Sequence, residues 1–204
     1  GHEGLVSIFN GKDLSGWIEP ESKVWKVDDK AISFAGPLDD EHRPKGYIWT
    51  EKKYKDFILE LDFRIAEGAN SGIFFRTADI KNPVQSGMEI QITDSYGRKH
   101  GELKKWDCGS LYDCQEPFKN MAKKAGQWNH LLLICKKQKV YVALNGVCVV
   151  SVDLNLWQEA GKNPDGSKNK FKHKMAKYQW AGHIGFQDHG CKVWYKNICI
   201  RELN

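Results

Sequence analysis

Apolar and polar positions alternate along most of this chain. The clearest run is Phe57 to Ile65, FILELDFRI, in which Phe57, Leu59, Leu61, Phe63 and Ile65 fall on one face and Ile58, Glu60, Asp62 and Arg64 on the other. Side chains two apart on a strand share a face, so this period predicts a half-buried strand. Met88 to Thr93 repeats the pattern, with Met88, Ile90 and Ile92 against Glu89, Gln91 and Thr93, and Ile73 to Thr77 forms a partner run before it. Val24–Val27 and Ala31–Phe34 flank Asp28-Asp29-Lys30, which predicts a hairpin with a three-residue connection. Asn145-Gly146 between Val140–Leu144 and Val147–Val152 is a stronger hairpin signal, because Asn-Gly accepts the positive φ angles of a tight turn. A strand opens after Trp128-Asn129, and the last runs from Lys192 to Ile200. Such a chain, with about a dozen strands, almost no helical periodicity and no internal repeat, is all-β. Two packed antiparallel sheets are the natural way to bury so many alternating strands. The 204 residues fit a single β-sandwich domain spanning 1–204.

Two long irregular stretches interrupt this pattern, Ser95 to Ala125 and Asn155 to Ala181, and a shorter polar loop with Asp39, Asp40, Glu41, His42 and Arg43 lies between Gly36 and Gly46. Loops of such length inside a compact domain are functional or disordered, and the Trp and Tyr in the first argue for order. Eight Trp suit a β-rich protein or a sugar-binding surface. The net charge of +5 is modest, and Lys162 to Lys177 reads as a solvated loop, because it lacks arginines and a nucleic-acid-binding motif around it. No apolar run reaches the length of a membrane span. The six cysteines form no CxxC pair, which argues against a zinc ribbon or a thioredoxin-like site. Cys108 and Cys114 are close enough in sequence to bridge in an oxidising compartment, but small, mostly buried thiols are the preferred reading. Gly1 in place of Met suggests a processed or engineered N-terminus from which a leader has been removed. The pattern is silent on oligomeric state.

The candidate chemistry gathers on the polar faces of the strands. Glu89 and Gln91 share a face, Asp94 follows where their strand ends, and Arg76 sits near the end of the partner run. Such a set can grip hydroxyl-rich ligands or perform acid–base chemistry; it is also what an ordinary polar strand face with a turn Asp looks like. Arg76 either clamps a ligand oxygen or pairs with Glu89 within the sheet. Gln187, Asp188 and His189 lie between Gly185 and Gly190, where glycines allow close approach to a ligand or make a tight turn. His189 is the best-placed histidine for proton transfer near neutral pH. Asp188 could orient it or bind a metal, but no ligand-spaced cluster makes a metal firm. In the first long loop, His100, Trp106 and Tyr112 are candidates to contact a sugar, Trp106 also as a staple or cleft wall. Trp17 and Trp25 read as core.

Several stretches together carry a resemblance. FNGKDLSGW (9–17), a strand ending in Phe-Arg before NSGIFFR (70–76), GMEIQITD (87–94), WNHLLLI (128–134), the Leu-Asn-Gly hairpin, GHIGFQDHG (182–190) and VWYKNICIREL (193–203) occur in the order of the bacterial 3-keto-disaccharide hydrolase domain family. The chain resembles that family from Leu5 to Leu203. The resemblance implies a concanavalin A-like jelly-roll sandwich of the lectin and glucanase type, a periplasmic or extracellular home, and cleavage of glycosides already oxidised to a ketone at carbon 3. Glu89-x-Gln91-x-x-Asp94 also looks like the E-x-D-x-x-E strand of laminarinase-type glucanases, in which a β-bulge returns the third acid to the face of the first. Gln in the middle and Asp at the end depart from that pattern and count against ordinary retaining hydrolysis.

The activity implied is removal of the carbon-2 proton by Glu89 or His189. Arg76 or a bound divalent cation stabilises the enolate oxygen, the leaving group departs with help from Asp94 or Asp188, and water then adds. Tyr112, Gln91 and Gln187 hold the oligosaccharide or glycoside substrate. The alternatives are a lectin-like module without catalysis and an endo-glucanase on the same fold.

Overall fold

The computed structural model describes residues 3–37, 45–178 and 180–203. Asp39 to Arg43 of the expected polar loop therefore lie outside the described residues. In chain order the strands are β1 (Val6–Ser7), β2 (Trp17–Ile18), β3 (Trp25–Asp28), β4 (Ala31–Phe34), β5 (Ile48–Thr50), β6 (Phe57–Ile65), β7 (Asn70–Thr77) and β8 (Met88–Thr93). They continue with β9 (Asn129–Lys136), β10 (Lys139–Leu144), β11 (Val147–Asp153), β12 (His183–Phe186) and β13 (Val193–Glu202). One sheet runs β11-β10-β9-β6-β13-β4-β3, with β1 added against β13, and the other runs β2-β5-β12-β7-β8. The described pairings are antiparallel, and a short α-helix, α1 (Pro83–Ser86), lies between β7 and β8.

The strand periodicity places the core. In β6, buried and half-buried residues alternate strictly, with Phe57, Leu59, Leu61, Phe63 and Ile65 inside. From the opposite sheet come Ile73, Phe75, Met88, Ile90, Ile92 and Phe186, and Phe186 stacks on Tyr195 of β13 at 3.8 Å between ring centroids. Burial of each such side chain contributes ~1.5–3 kcal/mol, and slipping a strand by one residue would expose the whole set, so the pattern fixes the register. Trp17 and Trp25 are buried as expected.

One local expectation changes, and the preferred reading of the cysteines holds. The first hairpin turns on two residues, not three: β3 extends through Asp28, which pairs with Ala31, and Asp29 and Lys30 carry the turn with φ of 48° and 57°. Cys108 and Cys114 are free thiols, buried in the core cluster, where desolvation pushes the Cys108 thiol up to about 12. Among the described residues no helix is long and apolar enough to cross a membrane.

Candidate active site

The site lies on the face of the five-stranded sheet turned away from the core. Because Met88, Ile90 and Ile92 point inward, Glu89 and Gln91 point outward. Their cross-strand partners are Phe74 and Gly72 of β7, in an unbroken register from Asn70–Thr93 to Phe75–Met88. Gly72 is required there: a Cβ at this position would lie 2.2 Å from Glu89 Oε1, so the carboxylate occupies the space that a side chain would fill.

The long loops then cover this polar face. Residues 109–112 run beside β8: Gly109 N donates to Gln91 O (2.8 Å), Gln91 N to Ser110 O (3.1 Å) and Tyr112 N to Glu89 O (2.9 Å). This pairing sets Tyr112 beside Glu89. From the second insertion comes Lys170, held at both of its backbone ends. Its N–H donates to Asp113 Oδ2 (2.6 Å), and its carbonyl accepts from Gln85 Nε2 (2.7 Å). Gln85 Oε1 in turn accepts from Lys172 N at 3.0 Å. Asn163 ties the two insertions together, donating from Nδ2 to Asp113 O (3.0 Å) and accepting from Trp157 Nε1 (2.8 Å). The result is a fixed ammonium: Lys170 Nζ lies 3.4 Å from Glu89 Oε2 and 4.4 Å from the centre of the Tyr112 ring.

Glu89, Gln91, Tyr112, Lys170, Gln187 and His189, with Asn70 and Val84, line a cleft of about 230 Å³. Glu89 is only 4% exposed. Burial raises its carboxyl above the usual range, and the charge and hydrogen bond of Lys170 pull it partly back. A desolvated carboxylate beside a fixed ammonium can take a proton from carbon, and the ammonium can face the negative oxygen that results. Gln91 Nε2 donates to Asn70 Oδ1 (3.1 Å), and Gln187 Nε2 donates to Tyr47 Oη (3.1 Å). Gln187 Oε1 is buried with no hydrogen-bond partner among the described residues. An unsatisfied buried carbonyl in a polar cleft is a ready acceptor for a ligand hydroxyl. His189 is exposed at the rim.

Of the residues singled out in the sequence, Glu89, Gln91, Tyr112, Gln187 and His189 come together in this cleft, and the others do not. Arg76 is fully buried elsewhere, with φ of 50°. Its guanidinium donates to Lys55 O, Tyr178 O and Asp56 Oδ1, each at 2.7 Å, so it ties three chain segments together and does not reach Glu89. Asp94 Oδ2 accepts from Gly68 N at 3.0 Å and lies in a different depression, with Tyr96 and Lys124. No bulge interrupts β8, so nothing returns this third acid to the face of the first. Asp188 is buried one position out of phase with Gln187, and its oxygens accept from Gly46 N (2.8 Å) and Gly190 N (3.0 Å), which ties loops. Trp106 is 54% exposed and His100 is exposed, both outside the cleft.

Lys170 is the residue that sequence reasoning missed. It was hidden in a lysine-rich stretch, and nothing in its local pattern separates it from its solvated neighbours. Among the described residues, no three His, Cys, Asp or Glu side chains converge to hold a metal ion, so the divalent cation considered as an enolate partner finds no ligand set there. The positive charge that the structure places beside Glu89 is the Lys170 ammonium.

Comparison with known proteins gives this geometry its context. The profile of the 3-keto-α-glucoside-1,2-lyase-like domain matches residues 4–201. A 3-keto-disaccharide hydrolase of Bacteroides thetaiotaomicron is 26% identical over 99% of this chain and 79% of its own length. A crystal structure from Parabacteroides distasonis, of a protein provisionally described as a glycosyl hydrolase, superimposes with a TM-score of 0.84 at 32% identity, covering 98% of this chain and 99% of that one. The carbohydrate-binding module CBM66 of Bacillus subtilis shares the fold alone, at 14% identity and a TM-score of 0.57 over 93% of this chain and 97% of that one.

Proposed function

The chain belongs to the 3-keto-α-glucoside-1,2-lyase-like family, and from that premise we propose that it is a carbohydrate hydrolase that cleaves 3-keto-glycosides by elimination and hydration. The observation that carries the reading is the buried Glu89 carboxylate held 3.4 Å from the Lys170 ammonium in a cleft lined with hydroxyl-binding groups. A ketone at carbon 3 acidifies the hydrogen on carbon 2. Glu89 removes that proton, and the C–H electron pair moves into a carbon 2–carbon 3 double bond as the ketone oxygen becomes negative. Lys170 stabilises that oxygen in a water-poor site, where a fixed charge acts most strongly. The enolate then collapses and the bond from carbon 1 to the glycosidic oxygen breaks. His189, at the rim, protonates the departing oxygen. Water adds to the resulting unsaturated ketone at carbon 1 and gives one proton to His189, which restores it, while the proton held by Glu89 returns to carbon 2, so the net reaction is hydrolysis.

This route needs a single base and a facing cation. It does not need a carboxylate pair across the bond, which accords with Gln at 91 and with Asp94 standing apart. Gln187 Oε1 and the Gln91 amide hold substrate hydroxyls. The proposal keeps the periplasmic or extracellular home that the resemblance implies. The experiment is incubation of the purified protein with 3-keto-trehalose beside trehalose, following the sugars released. Cleavage of the keto sugar alone is expected. Equal cleavage of both would make the protein an ordinary glycosidase, and binding without cleavage of either would make it a lectin.

A further inference from the structure

We propose that the outer face of the five-stranded sheet carries a second binding site, contiguous with the Glu89 cleft, that takes the leaving-group sugar of a disaccharide. This rests on reading the Glu89 cleft as the reacting site. That cleft, at about 230 Å³, is smaller than the ~300–1,000 Å³ typical of sites for whole ligands. It has room for the reacting ring and little else. Beside it lies a groove of about 620 Å³, well within that range.

The two share a wall. Tyr47 and Pro83 line the groove, while Gln187, which donates to the Tyr47 hydroxyl at 3.1 Å, and Val84, the residue after Pro83, line the cleft. The register joins them as well. Ile18 pairs with Trp49, Trp49 with Gly185, Gly185 with Phe74, and Phe74 with Glu89. One cross-strand row therefore runs from the groove to the carboxylate, and its three steps from Trp49 to Glu89 span ~14 Å at ordinary strand spacing. Between groove and cleft the face is paved with side chains laid flat: Phe74 packs against Tyr47 and Trp49, and glycines leave room for the Trp49 indole and the Glu89 carboxylate to lie over the sheet. A Cβ on Gly185 would lie 2.2 Å from the Trp49 indole, just as one on Gly72 would meet Glu89.

The chemistry of the groove identifies its occupant. Ile18, Tyr47, Trp49 and Ile80 give it apolar surface, which suits the C–H face of a pyranose. Glu21, Lys45 and Lys81 also line it and are exposed. Charges of both signs suit neutral hydroxyls, which donate to the acid and accept from the amines. A charged leaving group would be opposed by one or the other.

The test separates this site from the reaction. Calorimetry compares binding of 3-keto-trehalose with that of methyl 3-keto-α-glucoside, which has the same reacting ring and almost no leaving group. Wild type is expected to bind the disaccharide at least about tenfold more tightly, and Ile80→Ala and the double variant Glu21→Gln/Lys81→Ala each to remove most of that preference, in affinity and in kcat/KM alike. Equal binding of the two ligands by wild type, or a preference that survives both variants, overturns the proposal. So does an aryl 3-keto-glucoside that binds as tightly as the disaccharide and is indifferent to the Glu21/Lys81 change, because the occupant would then be an apolar aglycone. If neither keto sugar is turned over but the preference and its loss in the variants persist, the groove stands and the reaction assigned to Glu89 falls.

Discussion

Replacing Lys170 by Met tests the core of the mechanism, because it removes the charge and keeps most of the side-chain volume. Lys170 Nζ lies 3.4 Å from Glu89 Oε2, with the carboxylate 4% and the lysine side chain 20% exposed. At that distance the attraction is ~1 kcal/mol in water and ~5 kcal/mol at the effective dielectric of a protein site. The remaining exposure of the lysine favours the lower half of that range. Burial, which raises the Glu89 carboxyl, is unchanged by the substitution, while the two influences that lower it are both lost. The carboxyl therefore rises further. A base acts only when unprotonated, so the acid limb of the kcat/KM profile moves to higher pH, by about one unit for each 1.4 kcal/mol removed. On the plateau, loss of the cation facing the enolate lowers kcat by about 10²–10³.

The assay is a pH–rate profile on 3-keto-trehalose for wild type, Lys170→Met and Lys170→Arg. The arginine variant keeps the charge and is expected to hold the acid limb near its wild-type position. Loop collapse is not the expected cause of any loss, because Lys170 is held through its own backbone N–H and C=O by Asp113 and Gln85. An acid limb in Lys170→Met that stays in place or moves to lower pH would refute the coupling between these two groups.

Glu89→Gln is expected to lower turnover by about 10²–10⁴ while leaving Tm at neutral pH equal or higher. The folded-state carboxyl is raised, so its burial costs nothing below the unfolded pKa, and stability is lost as pH rises through the folded value; the amide escapes that loss, which thermal scans across pH read directly. Gly72→Ala places a methyl 2.2 Å from Glu89 Oε1 and forces the carboxylate aside, so kcat/KM falls by about 10²-fold with the sheet intact by circular dichroism. Arg76→Met removes a buried guanidinium and strands Asp56, at a cost of ~3–5 kcal/mol in urea unfolding. The same variant, assayed where it remains folded, keeps its kcat, whereas a catalytic role for Arg76 requires a drop.

How much of this was legible in the sequence follows from the range of the interactions involved. Strand β6 and strand β8 were readable to the residue, because alternation of side chains is a local property with one dominant cause, burial of a single face. Glu89 and Gln91 followed from the same alternation. Asp94 and Asp188 fail by the same rule: each is one position out of phase with its neighbours Thr93 and Gln187, and only a bulge at that point could have rescued it. Arg76 misled because its backbone leaves the strand conformation, with φ of 50°, next to the register shift between His183 and Gly185 in the neighbouring strand. That shift depends on how two distant segments pair. Lys170 is the extreme case. Its position is set by Asp113, 57 residues earlier, and by Gln85, 85 residues earlier, so no window of sequence around it holds the cause. A carboxylate on a strand face can be anticipated from the strand, but the charge beside it is delivered by two insertions that meet only in the fold. Substitutions at Asp113 and Gln85, which never touch the cleft, should therefore alter the pH profile through Lys170 more than the stability of the sandwich.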